Sequence, residues 1–138
     1  MSAYKKPIIL IVDYDAAIRD IAKRNLEEEG YEVHLADGGK AALLLVTAPD
    51  IQIDILITDI LMPFINGRDL ANRISGIKPG IKVLFISAYT AEILIQNNMC
   101  PEGSELIKKP FTKASMLERI ERVWAGGPSW KELISGQA

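Results

Sequence analysis

The chain has 138 residues, 49% of them hydrophobic, which suits one globular domain with a substantial core. Eighteen acidic against sixteen basic residues leave a formal charge of -2, so no basic field awaits a phosphate backbone and no direct nucleic-acid partner is expected. A single cysteine (Cys100) and a single histidine (His34) exclude a disulfide framework and a multi-histidine metal site, and fit a reducing, cytoplasmic setting.

Met1 to Pro7 is short and polar, without a signal-peptide pattern, and the apolar run after it is too brief to span a membrane. That run, Ile8 to Val12, reads as a strand buried on both faces and ends at Asp13-Tyr14-Asp15. Asp15 has the character of an N-cap for a helix with Ile18, Ile21, Ala22 and Leu26 on one face, closed at Gly30. Tyr31 to Leu35 alternates as a short strand, with His34 an ordinary rim residue. A helix from Lys40 to about Thr47 follows Asp37-Gly38-Gly39.

Ile53 to Ile57 leads through Thr58 to Asp59, and the Pro/Gly stretch Met62 to Gly67 turns the chain away. Asp59 thus stands at the end of a buried strand, where it either does chemistry or simply turns the chain. A helix from about Arg68 to Ser75 is next, then a strand from Ile81 to Ile86 ending at Ser87-Ala88-Tyr89-Thr90. A helix from about Ala91 to Asn98 and a short strand, Glu105 to Ile107, lead to Lys108-Lys109-Pro110-Phe111. The last main helix runs from about Lys113 to Ala125, with Met116, Leu117, Ile120, Val123 and Trp124 toward the core.

Five strands alternating with five helices predict an α/β, (βα)5 doubly wound fold: a flavodoxin-like three-layer sandwich with parallel strand order 2-1-3-4-5. Residues 1–125 form the domain. Residues 126–138 are a tail or linker, in which Ser129 with Glu132 has a capping-box pattern for a short helix. Trp130, read as exposed there, is a candidate contact for self-association, and oligomeric state stays open.

In that order, strands one and three flank the crevice at the topological switch point, so Asp13, Asp59, Ser87 and Lys109 converge on one rim. Such a set suits phosphoryl transfer, where positioning and charge neutralisation dominate. Asp59 is the candidate nucleophile, forming an aspartyl phosphate. Asp13 and Asp59 are candidate Mg²⁺ ligands, Ser87 a donor to one phosphoryl oxygen, and Lys109 the neutralising cation.

These residues resemble the receiver domain of two-component response regulators over nearly all of residues 7–125. Asp59-x-x-Met62-Pro63-x-x-x-Gly67 is similar to the family's phosphoacceptor loop; Ala36-Asp37-Gly38, Ser87-Ala88 and Lys109-Pro110-Phe111 fall where the family keeps its second turn, its hydroxyl and its Lys-Pro. The stretch around Phe85 to Thr90 is most similar to receivers appended to hybrid sensor histidine kinases. The resemblance implies a cis bond before Pro110 and a Leu61 backbone carbonyl on the metal. It also implies a phosphoryl group taken from a histidine kinase or phosphotransfer protein, and a signal sent to a downstream protein through the fourth helix, fifth strand and fifth helix. The chemistry would be self-catalysed phosphorylation and dephosphorylation of the aspartate, without enzymatic turnover of a substrate.

Two departures accompany it. Where the family has a second acid after strand one stands Tyr14, a neutral phenol and a poor Mg²⁺ ligand; Asp15 could compensate but is placed to cap the helix. Leu106 stands where the family has an aromatic that moves with the hydroxyl residue, and Tyr89 is a candidate replacement. They motivate an alternative, a degenerate receiver that binds partners without being phosphorylated. A third reading, a haloacid dehalogenase-like phosphatase, rests on Asp13-x-Asp15 but lacks a later acidic pair, and a flavin role lacks a phosphate loop after strand one.

Overall fold

The computed structural model describes residues 5–136. Five parallel strands form one sheet in the order β2-β1-β3-β4-β5: β1 (Ile9–Val12), β2 (Val33–Ala36), β3 (Ile55–Asp59), β4 (Lys82–Ser87) and β5 (Glu105–Lys108). The three central strands carry the continuous apolar runs because helices cover both of their faces. The strand order and the doubly wound fold agree with the expectation.

Alternation along the strands feeds two cores. Leu10, Val12, Leu56 and Phe85 point to the side of α2 (Gly39–Thr47), α3 (Gly67–Ile77) and α4 (Ala91–Gln96). Ile9, Ile11, Ile57, Leu84 and Ile86 meet α1 (Ala16–Glu27) and α5 (Lys113–Gly126) through Ala22, Leu26, Met116, Ile120 and Val123. Polar side chains set the helix starts: Asp15 accepts from the Ala17 N–H, Asn66 from Asp69, Thr90 from Ile93 and Thr112 from Ser115. The bond before Pro110 is cis.

Two inward assignments and one strand boundary need correction. Ile21 is exposed on α1. Trp124 is exposed as well, because Lys82 occupies the space beneath it: the ammonium donates to the Val123 and Trp124 carbonyls and lies 5.4 Å from the indole centroid. The strand predicted from Tyr31 begins at Val33; Tyr31 itself is buried, with Lys6 Nζ 4.4 Å from its ring centroid.

The largest correction concerns Trp130, which is 1% exposed and offers no free surface for self-association. The capping box of Ser129 and Glu132 starts α6 (Trp130–Ile134), a helix too short to persist without tertiary contacts. The Trp130 N–H donates to the Ile81 carbonyl, Nε1 donates to Asn72 Oδ1 at 2.8 Å, and the ring meets Phe85 edge-on at 5.6 Å. Helix α5 packs on one face of the sheet, whereas Trp130 belongs to the core on the other. The tail therefore passes from one side of the sheet to the other. Among the described residues, no helix is long and apolar enough to cross a membrane.

Candidate functional site

Parallel register aligns the carboxyl ends of the central strands. Val12 pairs with Thr58, Asp59 with Ile86, and Ser87 with Lys108, so the residues that follow emerge together at one rim. Lys109 reaches across this rim from β5. Its Nζ lies 3.1 Å from Asp13 Oδ2 and 3.2 Å from Asp59 Oδ2, and it hydrogen-bonds to Asp59. Asp13 Oδ2, on a side chain 1% exposed, is paired with this ammonium at 3.1 Å, although the angle is poor for a hydrogen bond. Asp13 Oδ1 accepts from the Asp15 N–H. A buried carboxylate costs stability unless a cation or donor meets it, and for Asp13 that cation is Lys109.

Burial raises the Asp59 pKa above the ordinary carboxylate value, and the Asp13 charge adds to this; the Lys109 ammonium and the Leu61 backbone N–H oppose it. For Lys109 the largest single influence, burial, disfavours the ammonium, but pairing with Asp13 and Asp59 together outweighs it and the pKa rises. The lysine is therefore a fixed cation between two carboxylates.

Ser87 is buried at the end of β4, and its Oγ accepts from the Tyr89 N–H at 3.0 Å, with the hydroxyl hydrogen free to turn. The chain after Asp59 is held by the Gly67 N–H donating to the Ile60 carbonyl, and a Cβ on Gly67 would strike the Asp59 carbonyl oxygen. A glycine is required at that point.

Every residue expected at the rim has a definite position. Lys109 contacts both Asp13 and Asp59, and Ser87 ends the strand adjacent to β3. Asp15 is not free to help, because Oδ1 caps α1 through the Ala17 N–H. Tyr14 turns outward, 69% exposed, and adds no oxygen to the acidic pair. Leu106, half-buried in β5, packs in the core on the α4 side, while Tyr89 is exposed. Among the described residues no group of three or more His, Cys, Asp or Glu could hold a metal. A cation here would have two carboxylates, a set that suits a small hard ion that retains several waters.

Two contributors were not anticipated from sequence. Arg19 Nη1 donates to the Asp13 carbonyl at 2.6 Å and fixes the turn between β1 and α1. An arginine so near a helix N-terminus opposes the helix dipole, and that misfit is the signal of a specific acceptor. Asp54 Oδ2 accepts from the Ile8 N–H and fastens the start of β1 to the chain entering β3.

The description "Response regulator receiver domain" matches residues 9–121. The response regulator receiver protein CpdR of Brucella abortus is 32% identical over 116 residues, covering 83% of this chain and 94% of that protein. A probable transcriptional regulatory protein of Picosynechococcus is 34% identical over 119 residues, covering 83% of this chain and 47% of its own. Thus the chain spans about half the length of some curated relatives and nearly all of others. Among solved structures, the receiver domain of the hybrid histidine kinase CckA superposes with a TM-score of 0.68 at 32% identity, covering 83% of this chain and 95% of that one.

Proposed function

The chain belongs to the response regulator receiver family of two-component signalling, and from that premise we propose that Asp59 accepts a phosphoryl group from a phosphohistidine on a histidine kinase or phosphotransfer protein. The observation that carries this reading is the Lys109 ammonium held between the Asp13 and Asp59 carboxylates at 3.1 and 3.2 Å. An Asp59 oxygen attacks phosphorus; the P–O bond forms as the P–N bond breaks, and the imidazole nitrogen keeps the electron pair and takes up a proton. Lys109 offsets charge on one phosphoryl oxygen, and the Ser87 hydroxyl turns to donate to another.

Asp13, Asp59 and the Leu61 carbonyl would hold Mg²⁺, which supplies charge neutralisation at the phosphoryl oxygens. Tyr14, facing away, leaves that affinity lower than a second acid would give. The chain is the stoichiometric acceptor and, apart from its own dephosphorylation, turns over no substrate.

The output follows from Ser87. Drawing its Oγ toward the phosphoryl group breaks the bond from the Tyr89 N–H and frees the turn leading into α4. The α4-β5-α5 face then shifts between two arrangements that a downstream protein distinguishes. Incubation with phosphoramidate and Mg²⁺, read by intact mass, should add one phosphoryl group to the protein and none to Asp59→Asn. Equal labelling of both would refute Asp59 as the acceptor.

A further inference from the structure

Phe64, at the tip of the loop after Asp59, is fully exposed and has φ 72°. The Ile65 N–H donates to the Pro63 carbonyl at 2.8 Å around it, closing a three-residue turn of the rare, strained kind. Glycine or asparagine would take this backbone more readily, so a phenylalanine here holds an aromatic ring in solvent at the expense of local strain. Tyr14, also exposed, lines the same cavity as Phe64, together with Asp37, Gly38, Gly39 and Lys40. Neither aromatic is used by the transfer chemistry.

We propose that Phe64, facing Tyr14 across this groove, is the anchor that selects the protein phosphodonor, by taking an apolar side chain from the surface flanking its phosphohistidine. This rests on Asp59 being the acceptor. The reacting atoms must come within about 3–3.5 Å, so whatever carries the imidazole lies against the residues next to the site. Three of those neighbours, Tyr14 beside Asp13, Leu61 beside the Asp59 turn and Tyr89 beyond Ser87, are exposed and uncharged, and the two charged residues lining the groove, Asp37 and Lys40, are of opposite sign. The groove thus offers no net charge of one sign to select a donor, and apolar fit to Phe64 and Tyr14 decides there. A small donor such as phosphoramidate reaches Asp59 without touching Phe64.

The test uses Phe64→Gly, which relieves the left-handed backbone and so preserves the fold. Two donors are compared: phosphoramidate, and an autophosphorylated histidine kinase of the same organism that labels the unaltered chain. The expected result is at least a tenfold loss in kcat/KM from the kinase, with the phosphoramidate rate within twofold. An unchanged kinase rate overturns the proposal, and so does an equal loss with both donors, which would assign Phe64 to shaping the acceptor loop. A dimer dissolved by Phe64→Gly, with kinase transfer intact, overturns it in favour of a second copy. If neither donor labels Asp59 of the unaltered chain, the acceptor reading itself fails, and this inference with it.

Discussion

Replacing Trp130 by alanine should remove much of what fixes the tail. The side chain is fully buried, touches Phe85 edge-on and donates to Asn72. Truncating a buried tryptophan costs about 3–5 kcal/mol, most of it lost burial and the cavity left behind. The hydrogen bond adds little, because Asn72 is exposed and turns to water. With an unfolding entropy of about 2.1 cal/mol/K per residue, the chain's 138 residues imply about 0.3 kcal/mol/K at the midpoint, hence a fall in Tm of roughly 10–17 °C. Urea unfolding followed by far-UV circular dichroism measures this without relying on the tryptophan that was removed. Trp130→Phe should recover all but about 1–2 kcal/mol, since the ring against Phe85 is kept. A loss below about 1 kcal/mol for Trp130→Ala would refute the packing of α6 across the sheet.

Tyr14→Asp should raise Mg²⁺ affinity at least tenfold, measured by titration calorimetry, because a carboxylate would join the pair that a phenol leaves incomplete; unchanged affinity would place the cation elsewhere. The raised Asp59 pKa gives a pH dependence with a definite sign. Between the ordinary value of 3.8 and the raised one, the folded chain binds more protons than the unfolded, so with chelator present stability falls as pH rises through that window. Asp59→Asn lacks this loss and should gain on the unaltered protein over the same interval in urea titrations.

Much of the fold was legible because central parallel strands have no solvent face: Ile9 to Val12 and Ile55 to Ile57 are apolar at every position. Asp13, Asp59, Ser87 and Lys109 were legible for a related reason, as polar residues at the ends of such runs. The tail was not. Trp130 lies among glycine, proline and serine, and its burial depends on space near Phe85 that no local pattern reveals. Trp124 and Ile21 had helical spacing suited to a core, but that stripe is wider than the surface the sheet offers, and Lys82 fills the place under Trp124. The γ-turn at Phe64 was also hidden, because the residue type argues against the conformation it adopts.

Asp59 and Lys109 are separated by 50 positions in the chain, and Lys109 directly follows the last strand of the sheet. During synthesis, both carboxylates emerge long before the cation that balances them. A chain that has made β1 to β4 but not β5 carries two like charges at one rim, without a partner to relieve their repulsion. Docking of β5 completes the sheet and the charge balance in one event, joining the slow, long-range part of folding to the assembly of the proposed acceptor site. A chain lacking β5 therefore leaves Asp13 and Asp59 without the ammonium on which the proposed acceptor site depends.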